Sequence, residues 1–122
     1  MYWTRGRAVV QETSEVTMGA NQFHPRNIHV PTGTEVTWTN PQNYQHTVIP
    51  TTVNGQFEQW TIGPEANDGV TVGSGNSVNK TFEESGVYAV YCKIHGSPNL
   101  NGMSMKIAVG DAEIQQPLGG WF

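Results

Sequence analysis

The segment around the chain's only cysteine brings together residue types that bind soft metal ions. It reads "VYAVYCKIHGSPNLNGMSMKIAVG" over residues 87–110 and holds Cys92, His95, Met103 and Met105 between two strand-like runs. Thiolate and thioether sulfur bind Cu(I), whereas imidazole nitrogen binds copper and zinc. A free cysteine is also commonly a small buried hydrophobic residue, so Cys92 alone does not indicate a metal site.

A second histidine gives this segment a partner elsewhere in the sequence. His46 begins the short apolar run "HTVI", so it lies at a strand end, as Cys92 does. In a strand, Cys92 shares one face with Tyr88 and Val90, and this places its thiol toward the core. If the two strand ends meet at one end of the fold, two imidazoles and one thiolate surround a single point. Such a trio, with a weak axial sulfur, is typical of copper sites for electron transfer.

The elements that must position these side chains are short strands separated by turns. Val and Thr are frequent while Leu occurs only twice, and this bias favours strands over helices. Pro50 ends the run "HTVI", and residues 50–76, rich in Gly, Asn and Thr, predict one long loop. Short strands with turns between them predict an all-β fold, a Greek-key antiparallel β-sandwich. The strand-like runs cover residues 7–18, 27–40, 46–49, 77–82, 87–92 and 103–109.

The composition of the chain limits its organisation and its partners. A length of 122 residues indicates one domain, 1–122, with a core at about 7–109 and a C-terminal tail at 110–122. A net charge of −4 with only six Lys and Arg residues gives no basic surface, so nucleic acid is not an expected partner. No apolar run reaches the length of a membrane span, and no signal-peptide pattern follows Met1. The aromatic end "LGGWF" indicates a contact with the domain or with a second subunit, which leaves an oligomer open.

Three stretches of the sequence together resemble a known family. In order, "FHPRNIHVPTGTEVTWTN", "HTVI" and "GVYAVYCKIHGSPNLNGM", within roughly residues 20–109, are similar to the cupredoxins, small blue copper proteins that include the plastocyanins. A lone C-x-x-H is a weak signal, but a downstream Gly-Met, an upstream strand-end histidine and the turn "VPTGTEV" make the combination specific. The resemblance implies a cupredoxin-like fold and one copper ion per chain. It also implies that His46, Cys92 and His95 are the equatorial copper ligands.

The sequence departs from the family pattern after the last of these ligands. Seven residues, 96–102, separate His95 from Met103, more than in the best-known members, and Met105 replaces the second glycine of the usual Gly-Met-x-Gly. Met103 and Met105 lie on one face of the last strand, so both also suit a core position. We expect Met103 to be the axial ligand. An axial position that is empty or filled by water is the main alternative, and Met105 is a minor one.

Residues around the predicted site carry further expectations. By resemblance, Thr47 links the two ligand loops, and Tyr91 is an electron port beside the cysteine. Trp38 is expected in the core, while Trp60 either covers the site or anchors the long loop. Glu58 is expected in solvent, although a carboxylate beside an open copper ion would matter. The surface is also expected to hold Lys93, Glu65 and His29, and His24 has no predicted role.

Three functions fit these predictions. The first is an electron carrier whose redox partner proteins dock where His95 emerges, on the uncharged loop 96–100. The second is a copper redox enzyme with an open axial position that acts on nitric oxide, nitrite or a similar small molecule. The third is an immunoglobulin-like binding module in which the cysteine and histidines are incidental.

The alternative metal and the location are also open at this point. Zinc binds Cys and His too, but structural zinc sites usually recruit more thiolates or a hard fourth ligand, and the chain offers neither in register. Resemblance to the cupredoxins implies a location outside the cytoplasm, in the periplasm or at the cell surface. A membrane tether beyond the given sequence is compatible with that location.

Overall fold

The computed structural model describes residues 10–63 and 69–114, and these residues form ten β-strands and no helix. Within these ranges, no helix is long and apolar enough to cross a membrane. The predicted strand start at residues 7–9, the solvent position of Glu65 and the tail contact of "LGGWF" lie outside the described residues. The strands are β1 (Gln11–Glu12), β2 (Glu15–Met18), β3 (Phe23–His24), β4 (Asn27–Val30), β5 (Thr34–Thr39), β6 (His46–Thr51), β7 (Val70–Val72), β8 (Ser77–Phe82), β9 (Gly86–Gly96) and β10 (Gly102–Val109).

The strands pair into two sheets and confirm the predicted all-β sandwich. One sheet has six strands in the order β1-β4-β10-β9-β6-β7, and the other has four in the order β3-β2-β5-β8. Most pairs are antiparallel, including the central β6–β9 and β9–β10 pairs. Three pairs are parallel, namely β1–β4, β4–β10 and β2–β5. Two of these pairings place the first and last strands, β1 and β10, on either side of β4.

The hydrophobic core lies between the two sheets and is formed by alternating residues of each. Trp38 of the four-stranded sheet is fully buried, as predicted, and its indole Nε1–H donates a hydrogen bond to the Met105 sulfur at 3.3 Å. Trp60 stacks on Trp38 with ring centroids 6.2 Å apart. Its indole N–H also donates to the Ala89 carbonyl at 3.0 Å, so Trp60 anchors the long loop in the core. The metal-binding end of β9 therefore extends from a rigid base.

Several predicted strand bounds were wrong, each for a tertiary reason. The first run is divided into β1 and β2, which join different sheets. Pro50 does not end β6, which continues to Thr51 because Pro50 and Thr51 remain in register with β9. Within the predicted 50–76 loop, Val70–Val72 forms β7 through pairing with β6. Strand β9 continues beyond Cys92 to Gly96, so His95 lies on the strand and not on a loop.

His29 was predicted at the surface, and the structure places it in a half-buried contact between chain segments. Its Nδ1 lies 2.7 Å from a Glu12 carboxylate oxygen, and its Nε2 lies 2.7 Å from the Gly110 carbonyl. Both partners are acceptors, so both ring nitrogens must donate, which requires the protonated imidazolium. The Glu12 hydrogen bond, followed by the Gly110 carbonyl, raises the pKa of His29 above its ordinary value. The imidazolium therefore joins β1 to the end of β10.

Candidate metal centre

Two neighbouring strands of the six-stranded sheet bring the three predicted ligands together. His46 is the first residue of β6, and Cys92 and His95 are near the end of the antiparallel strand β9. One potential ligand atom from each of the three side chains lies within 4.8 Å of the other two. The Cys92 sulfur is 3.7 Å from His46 Nδ1. The convergence of these side chains, predicted from strand ends far apart in sequence, is present in the structure.

The spacing of Cys92 and His46 fits binding to one transition-metal ion. Bonds of about 2.3 Å to sulfur and about 2.1 Å to nitrogen limit the separation of a sulfur and a nitrogen ligand on one ion to about 4.4 Å. The measured 3.7 Å between Cys92 Sγ and His46 Nδ1 satisfies this limit. His46 and Cys92 are fully buried, and a buried trio of one soft sulfur and two imidazoles suits copper in both of its oxidation states. His95 is exposed, so one imidazole of the trio reaches the solvent.

The protonation of His46 favours metal binding. Burial is the main cause that lowers its pKa, the nearby His95 lowers it further, and the Gly19 carbonyl opposes the change. His46 is therefore neutral at neutral pH, and a neutral imidazole does not have to lose a proton before it binds a metal. Its buried Nε2 has no hydrogen-bond partner among residues 10–63 and 69–114. The Gly19 carbonyl is the nearby backbone acceptor that acts on the His46 ring and raises its pKa.

Thr47 links the two ligand strands, as the resemblance implied. Its backbone N–H donates to the Cys92 sulfur at 3.4 Å, and its hydroxyl accepts a hydrogen bond from the Lys93 N–H at 3.0 Å. Hydrogen bonds to a cysteine sulfur stabilise the thiolate and influence the potential of a copper site. Thr47 is buried; its contact with the Cys92 sulfur is buried too, while its contact with the Lys93 N–H is partly buried. Lys93 is exposed, as expected.

The seven-residue segment between His95 and Met103 is a compact turn and not an open loop. Ser97 N–H donates to the Asn101 carbonyl, and Leu100 N–H donates to the Ser97 carbonyl. Gly96 and Gly102 pair with each other across its base. A Cβ on Gly102 would collide with the His95 carbonyl oxygen, and the φ of Gly102 is +70°, so only glycine fits without strain. The turn therefore holds the backbone of His95 in a fixed position.

The two methionines of β10 have different surroundings. Met105 accepts the Trp38 hydrogen bond and is buried in the core, so it serves the packing of the two sheets. Met103 is also fully buried, and it lies where the pairing of β10 with β9 shifts register, between Gly102 and Ser104. Its position directly after the turn is compatible with the predicted axial role, which stays a prediction.

Glu58 is not near the trio. Its backbone N–H donates to the Val87 carbonyl at 2.9 Å, and its side chain packs against Gly86 at the beginning of β9. Gly86 and Cys92 are six positions apart along the extended strand, a distance of roughly 20 Å. The Glu58 carboxylate is therefore at the other end of the strand, where it does not contact a metal held by Cys92. Trp60, anchored beside Ala89, does not cover the trio either.

Tyr44 lies against the trio, and sequence reasoning did not single it out. Its ring makes an edge contact with His46 at 5.3 Å and a tilted contact with His95 at 6.3 Å between centroids. The two histidine rings are themselves 5.4 Å apart. The only available signal in the sequence was its position two residues before His46, and that spacing does not define the direction of a loop side chain.

Comparisons with known proteins agree with this site. A novel purple cupredoxin from Nitrosopumilus maritimus is 27% identical, with a TM-score of 0.60, over 80% of this chain and 100% of that one. A copper-containing nitrite reductase from Thermus scotoductus is 25% identical, with a TM-score of 0.59, over 80% of this chain but 22% of that one. A reduced amicyanin variant, 24% identical over 78% of this chain and 79% of its own, shares the fold with a TM-score of 0.59. Comparison with curated protein sequences gave no match.

The match to a sequence family covers most of the chain. Residues 10–110 match the copper-binding proteins of the plastocyanin/azurin family, a range that contains every strand and the whole trio. The donor set of one buried thiol and two imidazoles suits a single copper ion. The chain belongs to the plastocyanin/azurin family of copper-binding proteins, and its cofactor is one copper ion.

Proposed function

We propose that this protein transfers single electrons between redox partner proteins through a type 1 copper site formed by His46, Cys92 and His95. The observation that carries the proposal is the difference in exposure within the trio. Two ligands are fully buried on neighbouring strands, and the imidazole of His95 alone reaches the solvent. When bound, copper supplies a one-electron Cu(II)/Cu(I) couple. The stiff strands hold the ligands in one arrangement for both oxidation states, which favours fast transfer.

The surface around His95 supports brief protein encounters. The turn at residues 96–100 has no charged side chain, and Pro98 and Asn99 are exposed within it. Ile94, beside His95, is 45% exposed, a high value for a large apolar side chain. A small neutral surface gives weak, short-lived complexes, as redox partners need. We also propose that the protein works outside the cytoplasm, where such carriers meet their partners.

Copper reconstitution tests this proposal directly. The protein loaded with one equivalent of Cu(II) should show an intense visible absorption from thiolate-to-copper charge transfer. Addition of one electron per copper should bleach the absorption reversibly. In a mixture of oxidised and reduced protein, NMR line broadening should show rapid electron exchange between the two forms. Cys92→Ser should abolish the colour, because the chain has no second cysteine to replace the sulfur. A colourless wild-type copper complex, or one that exchanges electrons slowly, would refute the electron-carrier assignment.

A second candidate function follows from the length of the turn between His95 and Met103. Seven residues separate them, which allows an axial position open to a small molecule such as nitrite or nitric oxide. One of the structurally similar proteins is a copper-containing nitrite reductase, although the match covers 22% of that chain. Titration of the oxidised protein with nitrite or nitric oxide distinguishes the candidates. A saturable change in the visible spectrum supports the redox enzyme, and an unchanged spectrum supports the carrier.

A further inference from the structure

The ring of Tyr44 and the rings of the two ligand histidines form a closed triangle. The three centroid distances are 5.3, 5.4 and 6.3 Å, all within the range of aromatic contact. His46 is fully buried while Tyr44 is 41% exposed. The tyrosine ring therefore lies between the buried His46 imidazole and the solvent on this side of the site. Tyr44 and Ile94 are the exposed large hydrophobic residues in the described part of the chain.

The position of Tyr44 is fixed by the structure behind it. The Tyr44 carbonyl accepts a 2.8 Å hydrogen bond from the Asn40 side-chain amide. Asn40 is fully buried, and the same amide donates to the Val72 carbonyl at 2.9 Å, so the loop is tied to β7. The Tyr44 hydroxyl donates a longer hydrogen bond of 3.4 Å to the Ala20 carbonyl. The ring is thus held at both its backbone and its outer end.

An exposed aromatic ring held in this way has a physical consequence for the site. Contact with His46 and His95 limits the orientations of both imidazoles, and the ring occupies space beside them that water or a small anion would otherwise fill. Neither effect depends on the hydroxyl, whose hydrogen bond goes to the Ala20 carbonyl. The aromatic body of the residue is therefore the part that acts.

We propose that Tyr44 is the outer wall of the copper site, a positioning residue that controls the access of small anions to the metal. The proposal depends on the copper site and goes beyond the electron-carrier role. Tyr44 does not bind the metal, but it decides whether the copper site is closed, as in a carrier, or open to a small ligand. Azide is a suitable probe, because it is a small anion that binds exposed Cu(II).

Azide titration of the Cu(II) protein, followed by visible absorption and EPR, compares wild type with Tyr44→Ala and Tyr44→Phe. Tyr44→Ala should bind azide at least about tenfold more tightly than wild type, because the wall is removed. Tyr44→Phe should match wild type, because it keeps the ring. Copper stoichiometry and the charge-transfer band, measured before azide is added, show that each variant is folded and loaded.

The outcomes separate this proposal from the proposed function. Equal azide affinities in wild type and Tyr44→Ala, with the charge-transfer band intact in both, would overturn the role of Tyr44 alone. Tyr44→Phe behaving as Tyr44→Ala would also overturn it, because the hydroxyl and not the ring would then be responsible. A wild-type protein without the charge-transfer band would instead refute the copper assignment.

Discussion

Replacing Thr47 with valine removes the hydrogen bond that joins the two ligand strands without changing the shape of the residue. The Thr47 hydroxyl accepts from the Lys93 N–H at 3.0 Å, directly after the ligand Cys92. Valine has a similar volume and the same β-branched preference for a strand, so no cavity opens. The Lys93 N–H loses its acceptor in a partly buried position.

The expected cost follows from that lost partner. A buried donor left without an acceptor destabilises a protein by about 1–3 kcal/mol. For a domain of this length, each kcal/mol lowers the midpoint of thermal unfolding by about 4 °C, which gives a decrease of roughly 4–12 °C. The visible spectrum of the copper form should change as well, because the Lys93 backbone is free to move beside the cysteine.

The assay is thermal unfolding of the metal-free protein together with the absorption spectrum of the copper-loaded protein. Thr39→Val is a matched control, because Thr39 is half-buried on β5 and its hydroxyl makes no hydrogen bond within the described ranges. The control should remain within about 0.5 kcal/mol of wild type. Thr47→Ser should keep the wild-type spectrum. A Thr47→Val protein with wild-type stability and an unaltered spectrum would refute the reasoning.

Three further predictions concern the turn, the His29 imidazolium and the axial position. Gly102→Ala should destabilise the protein by about 1–3 kcal/mol in urea unfolding, whereas Gly75→Ala, with a similar positive φ and open space around it, should cost about 1 kcal/mol. The raised pKa of His29 means that its stabilisation is present below its ordinary pKa near 6.5 and is lost as the pH rises through the folded-state value. In the wild type, the free energy of unfolding in urea should therefore be about 1 kcal/mol lower at pH 9 than at pH 6. This difference should be absent in His29→Gln and reduced in Glu12→Gln. A pH response equal in all three proteins would contradict the role of His29. Met103→Gln should lower the reduction potential, measured by voltammetry, if the Met103 thioether is the axial ligand. An unchanged potential would mean that Met103 is a core residue only.

Regular alternation made much of the fold predictable from the sequence. Trp38 on β5, and Val90 and Cys92 on β9, were placed in the core, and all three are buried. These predictions succeeded because a strand with one buried face repeats every two residues. The same logic placed Cys92 at the end of a core-facing series, where it meets His46.

The features that were missed depend on contacts between distant segments. Strand β7 is only three residues long and exists because it pairs with β6. His29 alternates with buried residues, and only the parallel pairing of β4 with β1 places Glu12 against it. Tyr44 is directed to the trio by an Asn40 amide that also binds Val72, 32 residues away. No local pattern encodes such contacts.

The most direct test of the account is the position of copper in a crystal of the loaded protein, located by anomalous scattering at the copper edge. The account predicts one peak within bonding distance of His46 Nδ1, Cys92 Sγ and a ring nitrogen of His95, beside the ring of Tyr44. Copper bound elsewhere on the surface, or a peak that lacks the Cys92 sulfur, would contradict the central claim.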